Sequence, residues 1–424
     1  MKNHLIIVES PSKIKTLKKF LDSKYTVEAS VGHIRDLPKS NLGIDVEKDF
    51  SAEYTVSPNS AKTVKSLKTA LKKADELLIA TDPDREGEAI AWHIVDELKP
   101  KIPVKRLVFN EITKTAILEA LDKTRDIDTH LVDSQETRRF LDRLFGFMVS
   151  KTMWTNMKGG VSAGRVQSPA VKILVDREKE RTQFIQNEYW SISAEFENKN
   201  GIINANLIKI NGNKVSTGKS FDKKSGELFN KNDVVLNDKT VKEICNKIKD
   251  SLWKIDNVET KPSKQKPYAP FITSTLQQEG IRQFRMSAQN VMRIAQGLYE
   301  NGYITYMRTD SVHLSSEAIT ASRNEIKSLF GDNYLPSAAI QYSGKVKNAQ
   351  EAHEAIRPAG SKFKHPDELK NKVNADELKL YKLIWKRTLA SQMKSAQIER
   401  TNLTISNGQY IFEAKGKVVT FPGF

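Results

Sequence analysis

The sequence predicts an α/β fold at its N-terminus, a doubly wound parallel sheet, followed by mixed α and β regions. Three observations carry this. Short apolar runs, Leu5-Ile6-Ile7-Val8 and Glu76-Leu77-Leu78-Ile79-Ala80, alternate with helical spacing over residues 1 to about 120. Residues 189–260 and 400–424 alternate apolar and polar side chains around turn pairs such as Asn211-Gly212 and Asn407-Gly408. Residues 130–180, 274–299 and 312–390 repeat at helical spacing.

Leu5–Val8 reads as a buried strand closing in Glu9-Ser10-Pro11-Ser12-Lys13. A helix follows from Lys13 to Leu21, with Ile14, Leu17, Phe20 and Leu21 on its apolar side. Tyr25–Val31 reads as a second strand, ending at Gly32-His33. Residues 36–60, with Pro38, Gly43, Pro58 and Asn59, read as an excursion from the first domain. Ala61–Ala74 is a basic amphipathic helix, and Glu76–Ala80 a buried strand ending in Thr81-Asp82-Pro83-Asp84-Arg85-Glu86-Gly87-Glu88. A helix over Ala89–Leu98 and a strand over Arg106–Asn110 complete the alternation. Lys261–Pro270, with three prolines and three lysines, reads as a linker, and 343–348 as a Lys-rich exposed loop. Gly302–Ser311 reads as a strand, because Tyr303, Ile304, Thr305 and Tyr306 are aromatic or β-branched.

The 424 residues suggest about two to four domains. Lys and Arg number 68 against 52 Asp and Glu, and a surplus of +16 favours a polyanionic partner, nucleic acid first. A Lys-rich proteome accounts for the same surplus without a partner. The single cysteine, Cys245, excludes an intrachain disulfide and a multi-cysteine zinc site, so a reducing cytoplasm is the expected compartment. Charges at Glu9, Lys13, Lys15, Lys18 and Lys19 interrupt any signal-peptide core. No stretch approaches the ~18 apolar residues of a membrane span.

Two stretches carry chemistry. Glu9 ends one predicted strand, while Asp82, Asp84 and Glu86 follow another. Carboxylates gathered on one sheet edge raise one another's pKa, and a hard cation such as Mg²⁺ resolves the conflict. Capping of the next helix explains Asp84 and Glu86 equally simply. In an extended chain Tyr306 and Arg308 share a face, about 7 Å apart. A phenol titrating near pH 10 needs help to act as a nucleophile, and Arg308 is placed to favour phenolate and grip a phosphate. Taken alone, such a pair reads as packing beside a solvated charge.

Val8-Glu9-Ser10-Pro11-Ser12-Lys13 and Asp82-Pro83-Asp84-Arg85-Glu86-Gly87-Glu88 together resemble the Toprim domain of type IA DNA topoisomerases. Gly32–Pro38, Ser162–Pro169, Glu188-Tyr189-Trp190, Ala269–Gln278 and Glu351–Pro358 extend the resemblance in order along the chain. Tyr306 then falls on the family's nucleophile, and Met307 points to the bacterial topoisomerase I branch.

The resemblance implies a Toprim domain over 1–35 and 60–128, and a helical DNA-binding gate domain over 36–59 and 129–186. It implies a partial β-rich arch over 187–262 and 391–424, and a helical domain over 263–390 carrying the tyrosine. It implies ATP-independent relaxation of negatively supercoiled DNA by single-strand cleavage, a 5′-phosphotyrosine intermediate, strand passage and religation. Tyr306 would attack. Arg308 and Lys13 would hold the scissile phosphate, Glu9 would move a proton at the 3′ oxygen, and His353 would neighbour the phosphate or tyrosine. Glu9, Asp82, Asp84 and Glu86 would hold Mg²⁺.

His33, Arg138, Arg139, Asp142, Phe147, Trp154, Ser162, Ala163, Gly164, Arg165, Val166, Gln167 and Arg308 would contact single-stranded DNA. For Phe147 and Trp154, core packing stays open beside base stacking. The family's core is longer than this chain, so the missing segments, or a partner chain supplying them, are expected. The protein is otherwise expected to be a cytoplasmic, nucleoid-associated monomer. Rival readings are another Toprim enzyme (a primase or nuclease) and a DNA-binding protein without full strand passage.

Overall fold

In the computed structural model of the protein, residues 2–157, 161–199, 201–342 and 353–424 are described. The Lys-rich loop at 343–348, and Glu351 and Ala352 of the last motif, lie outside them. The chain divides into two units, Met1–Arg165 with Pro267–Lys394, and Val166–Lys266 with Ser395–Phe424.

The first unit begins with β1 (His4–Val8), α1 (Pro11–Leu17) and β2 (Tyr25–Ala29). The excursion that follows forms two small ladders, β3 (Arg35–Asp36) with β6 (Thr55–Val56) and β4 (Ile44–Asp45) with β5 (Ser51–Ala52). Then come α2 (Ala61–Leu71), β7 (Glu76–Ala80), α3 (Arg85–Leu98), β8 (Val104–Arg106) and α4 (Lys114–Asp122). The sheet is parallel, in the order β2-β1-β7-β8. Leu5, Ile7, Leu77 and Ile79 bury against Val64 and Leu67 of α2 and Ile90 and Ile94 of α3. Apolar runs covered in this way explain why these strands read as continuous hydrophobic segments.

The chain leaves β1 for β2 on one side and later crosses to β7 on the other. The ends of β1 and β7 therefore flank a topological switch point, where open α/β sheets bind ligands. The register pairs Val8 with Ala80, so Glu9 and Thr81-Asp82 leave the sheet side by side.

The first unit also holds α5 (Thr129–Asn156), capped by Asp128. Its remaining helices are α8 (Thr273–Phe284), α9 (Ala288–Glu300), α10 (Ser316–Phe330) and α11 (Ala375–Ser391). The helix expected over 274–299 is broken at Arg285, which takes φ +55° and ends α8.

The stretch around Tyr306 is not a regular strand. It is held by one isolated bridge, Ile304 to Pro358, and by separate hydrogen bonds on its two sides. Among the described residues no segment continues a ladder along it, and its β-forming residues are used for burial instead.

The second unit contains α6 (Gln167–Thr182), α7 (Asp238–Ile248) and an antiparallel sheet. Its strands are β9 (Ser193–Asn198), β10 (Gly201–Ile210), β11 (Asn213–Lys214), β12 (Lys254–Gln265), β13 (Ala396–Ser406) and β14 (Tyr410–Phe421). The path runs β11-β10-β14-β13-β12, with β9 on β10. Leu207, Ile210, Ile244, Tyr410 and Phe412 form its core. Much of the expected linker over 261–270 is instead the end of β12. Its Pro262 is tolerated because β12 is an edge strand that pairs with β13 on one side. Among the described residues, no helix is long and apolar enough to cross a membrane.

Candidate active site

The acidic loop is held from two sides. Asp84 caps α3, its Oδ1 accepting the Gly87 N–H at 2.8 Å. Thr81 Oγ1 donates to the Gly87 carbonyl at 2.6 Å. A Cβ on residue 87 would stand 2.0 Å from the Asp82 carbonyl oxygen, so glycine is required there by contact rather than by φ. Gly87→Ala is expected to destabilise the chain by about 1–3 kcal/mol. A thermal melt checks this, and an unchanged midpoint would mean that the loop yields freely.

Behind the loop lies Arg106, fully buried. It donates to the Asp82 and Ile79 carbonyls at 2.8 Å each and to Glu88 Oε2 at 3.0 Å. Glu88 also accepts from Arg125 and from the Asp128 N–H, and so joins the acid loop to the start of α5. Sequence reasoning missed Arg106. Its one signal was a charged residue opening an apolar run.

Tyr306 is 2 % exposed, and its hydroxyl donates to Asp84 Oδ2 at 2.5 Å. Its ring packs edge-on against Tyr299 at 5.2 Å and lies 5.9 Å from the His353 ring. Arg308 Nη1 reaches the same Asp84 oxygen at 3.4 Å. Burial, then the Asp82 and Asp84 charges, push the phenol upward and outweigh Arg308. The expected phenolate-favouring effect of Arg308 is present in direction but loses to its surroundings.

Glu9 is raised to about 7, first by burial, then by Asp82, with Asp84 adding to it against Lys13 and Arg308. Lys13 is fully buried, paired with Asp82 and lying over the Tyr299 ring at 5.4 Å. Its ammonium compensates that carboxylate and is not on the cavity wall. Glu86 faces His33 Nε2 at 3.5 Å and Gln135 Nε2 at 3.2 Å. The hydrogen bond from His33, ahead of the opposing effect of burial, holds its pKa down.

Among the described residues, no three acids or histidines form a ready ligand cluster. Glu9, Asp84 and Glu86 line a cavity of about 720 Å³, with Arg138, Arg308 and His353. Of the four expected metal ligands, Asp82 is off the cavity wall and paired with the buried Lys13, while the other three line it. Carboxylates gathered on one cavity wall fit Mg²⁺, which keeps several waters of its own.

The predicted nucleic-acid residues continue from this cavity. His33, Glu86 and Arg138 also line a second cavity of about 330 Å³. That one shares Arg139 and Asp142 with a third, of about 570 Å³, walled by Phe147, Trp154, Ser162 and Ala163. In this chain Trp154 is 59 % and Phe147 40 % exposed. Arg139 pairs with Asp36, Arg165 pairs with Asp142, and Arg143 lies over the Phe147 ring. Gly164 adjoins this wall, while Val166 and Gln167 are exposed at the start of the second unit.

A protein-family comparison matches residues 126–424 to a DNA topoisomerase family and residues 4–112 to the Toprim domain. The chain is 47 % identical over 435 residues to DNA topoisomerase 1 of Synechococcus elongatus, covering 99 % of this chain and 49 % of that protein. It is 46 % identical over 450 residues to DNA topoisomerase 1 of Mycobacterium tuberculosis, covering 99 % and 48 %. The fold is similar to full-length topoisomerase I from Thermotoga maritima, with a TM-score of 0.81 and 39 % identity, over 98 % of this chain and 66 % of that one. The chain thus spans about half the length of the curated relatives it matches.

Proposed function

The chain belongs to the type IA DNA topoisomerases, on the bacterial topoisomerase I branch, and from that premise we propose that it cuts and reseals one strand of DNA through Tyr306. In the whole enzyme this relaxes negatively supercoiled DNA without ATP. The observation that carries the reading is the Tyr306–Asp84 hydrogen bond, which joins a nucleophile's hydroxyl to an acid 222 positions away.

Tyr306 Oη attacks a backbone phosphorus. The Tyr–O–P bond forms, the P–O3′ bond breaks, and the phenolic proton passes to Asp84, its present acceptor. Glu9, a carboxyl near 7, donates a proton to the departing 3′ oxygen and recovers it on resealing. Arg308, Arg138 and His353 line the space where the phosphate sits, the arginines facing its charge. Lys13 acts from behind by steadying Asp82. Asp84 and Glu86, on the same cavity wall, would hold Mg²⁺, which when bound supplies positive charge to the phosphate oxygens.

A single strand would follow the three cavities toward Trp154, its backbone on Arg138, Arg139 and Arg143 and its bases on Phe147 and Trp154. Raising salt from 50 to 200 mM should weaken oligonucleotide binding by about tenfold or more. Trp154→Ala should weaken it further at every salt by about 1–3 kcal/mol. Fluorescence anisotropy checks both, and a flat salt response counts against the path.

The test of the reading is a labelled single-stranded oligonucleotide mixed with the chain and quenched in denaturant. A protein-linked 5′ phosphate is expected, and its absence under cleavage conditions would sink the proposal. A primase or nuclease using the same acids leaves no such adduct.

A further inference from the structure

The segment Asn110-Glu111, just beyond β8, has no role in the chemistry above, yet it grips the nucleophile's backbone. The Tyr306 N–H donates to the Asn110 carbonyl at 2.8 Å. On the other side of the tyrosine stretch, the Thr305 N–H donates to the Arg357 carbonyl at 2.9 Å. Thr305 Oγ1 accepts the Arg357 N–H at 3.0 Å and donates to the Ala355 carbonyl at 2.8 Å. The Arg357 guanidinium then returns to Glu111, Nη1 to Oε2 at 2.9 Å. Glu111 also accepts the Gly360 N–H at 3.0 Å, while Glu354 takes the other edge of the guanidinium at 2.6 Å.

These links close a ring running Glu111, Arg357, Thr305, Tyr306, Asn110 and, through the peptide bond, Glu111 again. Glu111, Thr305 and Arg357 are all buried. Gly302 presses against the same segment, since a Cβ there would lie 2.4 Å from the Ile112 carbonyl oxygen.

We infer that Glu111 is a positioning residue for Tyr306: its carboxylate closes a clasp that sets the nucleophile against the acid loop and governs how readily a cut strand is resealed. The inference rests on the proposed cleavage reaction. An uncut strand spans both the Tyr306 side and the Glu9 side and holds them together by itself. After cleavage the 5′ phosphate is on Tyr306 and the free 3′ hydroxyl lies at Glu9, so protein contacts alone restore their apposition. Weakening the clasp therefore acts on resealing more than on cutting. A hydrogen bond to a charged group in a buried site is the kind whose loss is felt.

Glu111→Gln keeps the shape and an acceptor for Gly360 but removes the charge facing Arg357. In single-turnover assays on a labelled oligonucleotide, resealing should slow about tenfold while cleavage changes less than about threefold. Arg357→Lys, which keeps the charge and loses the fork, should shift the ratio in the same direction. Hydrogen–deuterium exchange on the DNA-free chain should show faster exchange at the Thr305 and Tyr306 amides, with β1 unchanged. A merely structural role would lower both rates together or leave both alone, and either result overturns the clasp. Unchanged protection at Thr305 and Tyr306 in both variants overturns it as well. If the unaltered chain forms no adduct, the cleavage reading fails, and the exchange measurement still decides whether Glu111 positions Tyr306.

Discussion

Tyr306→Phe abolishes the denaturant-resistant protein–DNA adduct while leaving the fold and oligonucleotide binding in place. The reasoning is local. The ring is buried between Tyr299 and His353, and phenylalanine keeps both contacts. Only the hydroxyl and its bond to Asp84 Oδ2 are lost. Asp84 lines the cavity, so water replaces the missing donor and the stability change stays near 1 kcal/mol. Chemically the loss is complete, because phenylalanine carries no oxygen to bond phosphorus. Gel analysis of a labelled oligonucleotide, with anisotropy for binding and a thermal melt for folding, checks all three parts. An adduct that persists would assign the nucleophile to another side chain. Lost binding would make Tyr306 a structural residue.

Glu9→Gln lowers the single-turnover rates of cutting and resealing by about 10²–10⁴, the usual contribution of a positioned acid or base. Its pH dependence is specific. Burial, with Asp82 and Asp84 close by, puts the Glu9 carboxyl at about 7. As an acid in cleavage it must be protonated, so cutting falls as pH rises past about 7. As a base in resealing it must be ionised, so resealing falls as pH drops below about 7. Both slopes should flatten in Glu9→Gln. The same shift bears on stability. A carboxyl raised from 4.5 to about 7 binds its proton more tightly in the folded chain. The folded state is therefore favoured below the lower value and loses that advantage as pH rises through the upper one, by at most about 3 kcal/mol. Glu9→Gln should accordingly raise the melting temperature at pH 8 and leave it unchanged at pH 4. Rates without an inflection near neutrality would remove Glu9 from the proton transfer.

Much of the fold is legible in the residues. Leu5–Val8 and Leu77–Ala80 are buried on both faces, so composition alone marks them as strands of a covered parallel sheet. The acids follow those strands by one to six positions, so their shared edge could be inferred from chain order. The Tyr306 stretch carries strand-forming residues without a ladder because β propensity reports a fit to buried, extended surroundings, and here a loop supplies them. Within the Lys261–Pro270 stretch that reads as a linker, Lys261–Gln265 belongs to a strand because proline excludes a segment from the middle of a sheet, not from its edge.

Side-chain partnering was beyond reach of the one-dimensional pattern. Four carboxylates near one another suggest one metal cluster, but Lys13 claims Asp82. Which charge meets which depends on approaches of a few ångströms between segments far apart in sequence, and Coulomb energy falls too steeply with distance and dielectric for spacing alone to rank them. The chemical inventory of this protein (acids at a sheet edge, a tyrosine beside an arginine, a basic helix with aromatics) is therefore written in its residues. The assignment of Asp84 to Tyr306, of Lys13 to Asp82 and of Glu111 to Arg357 exists only once folding has brought those side chains together and fixed their distances.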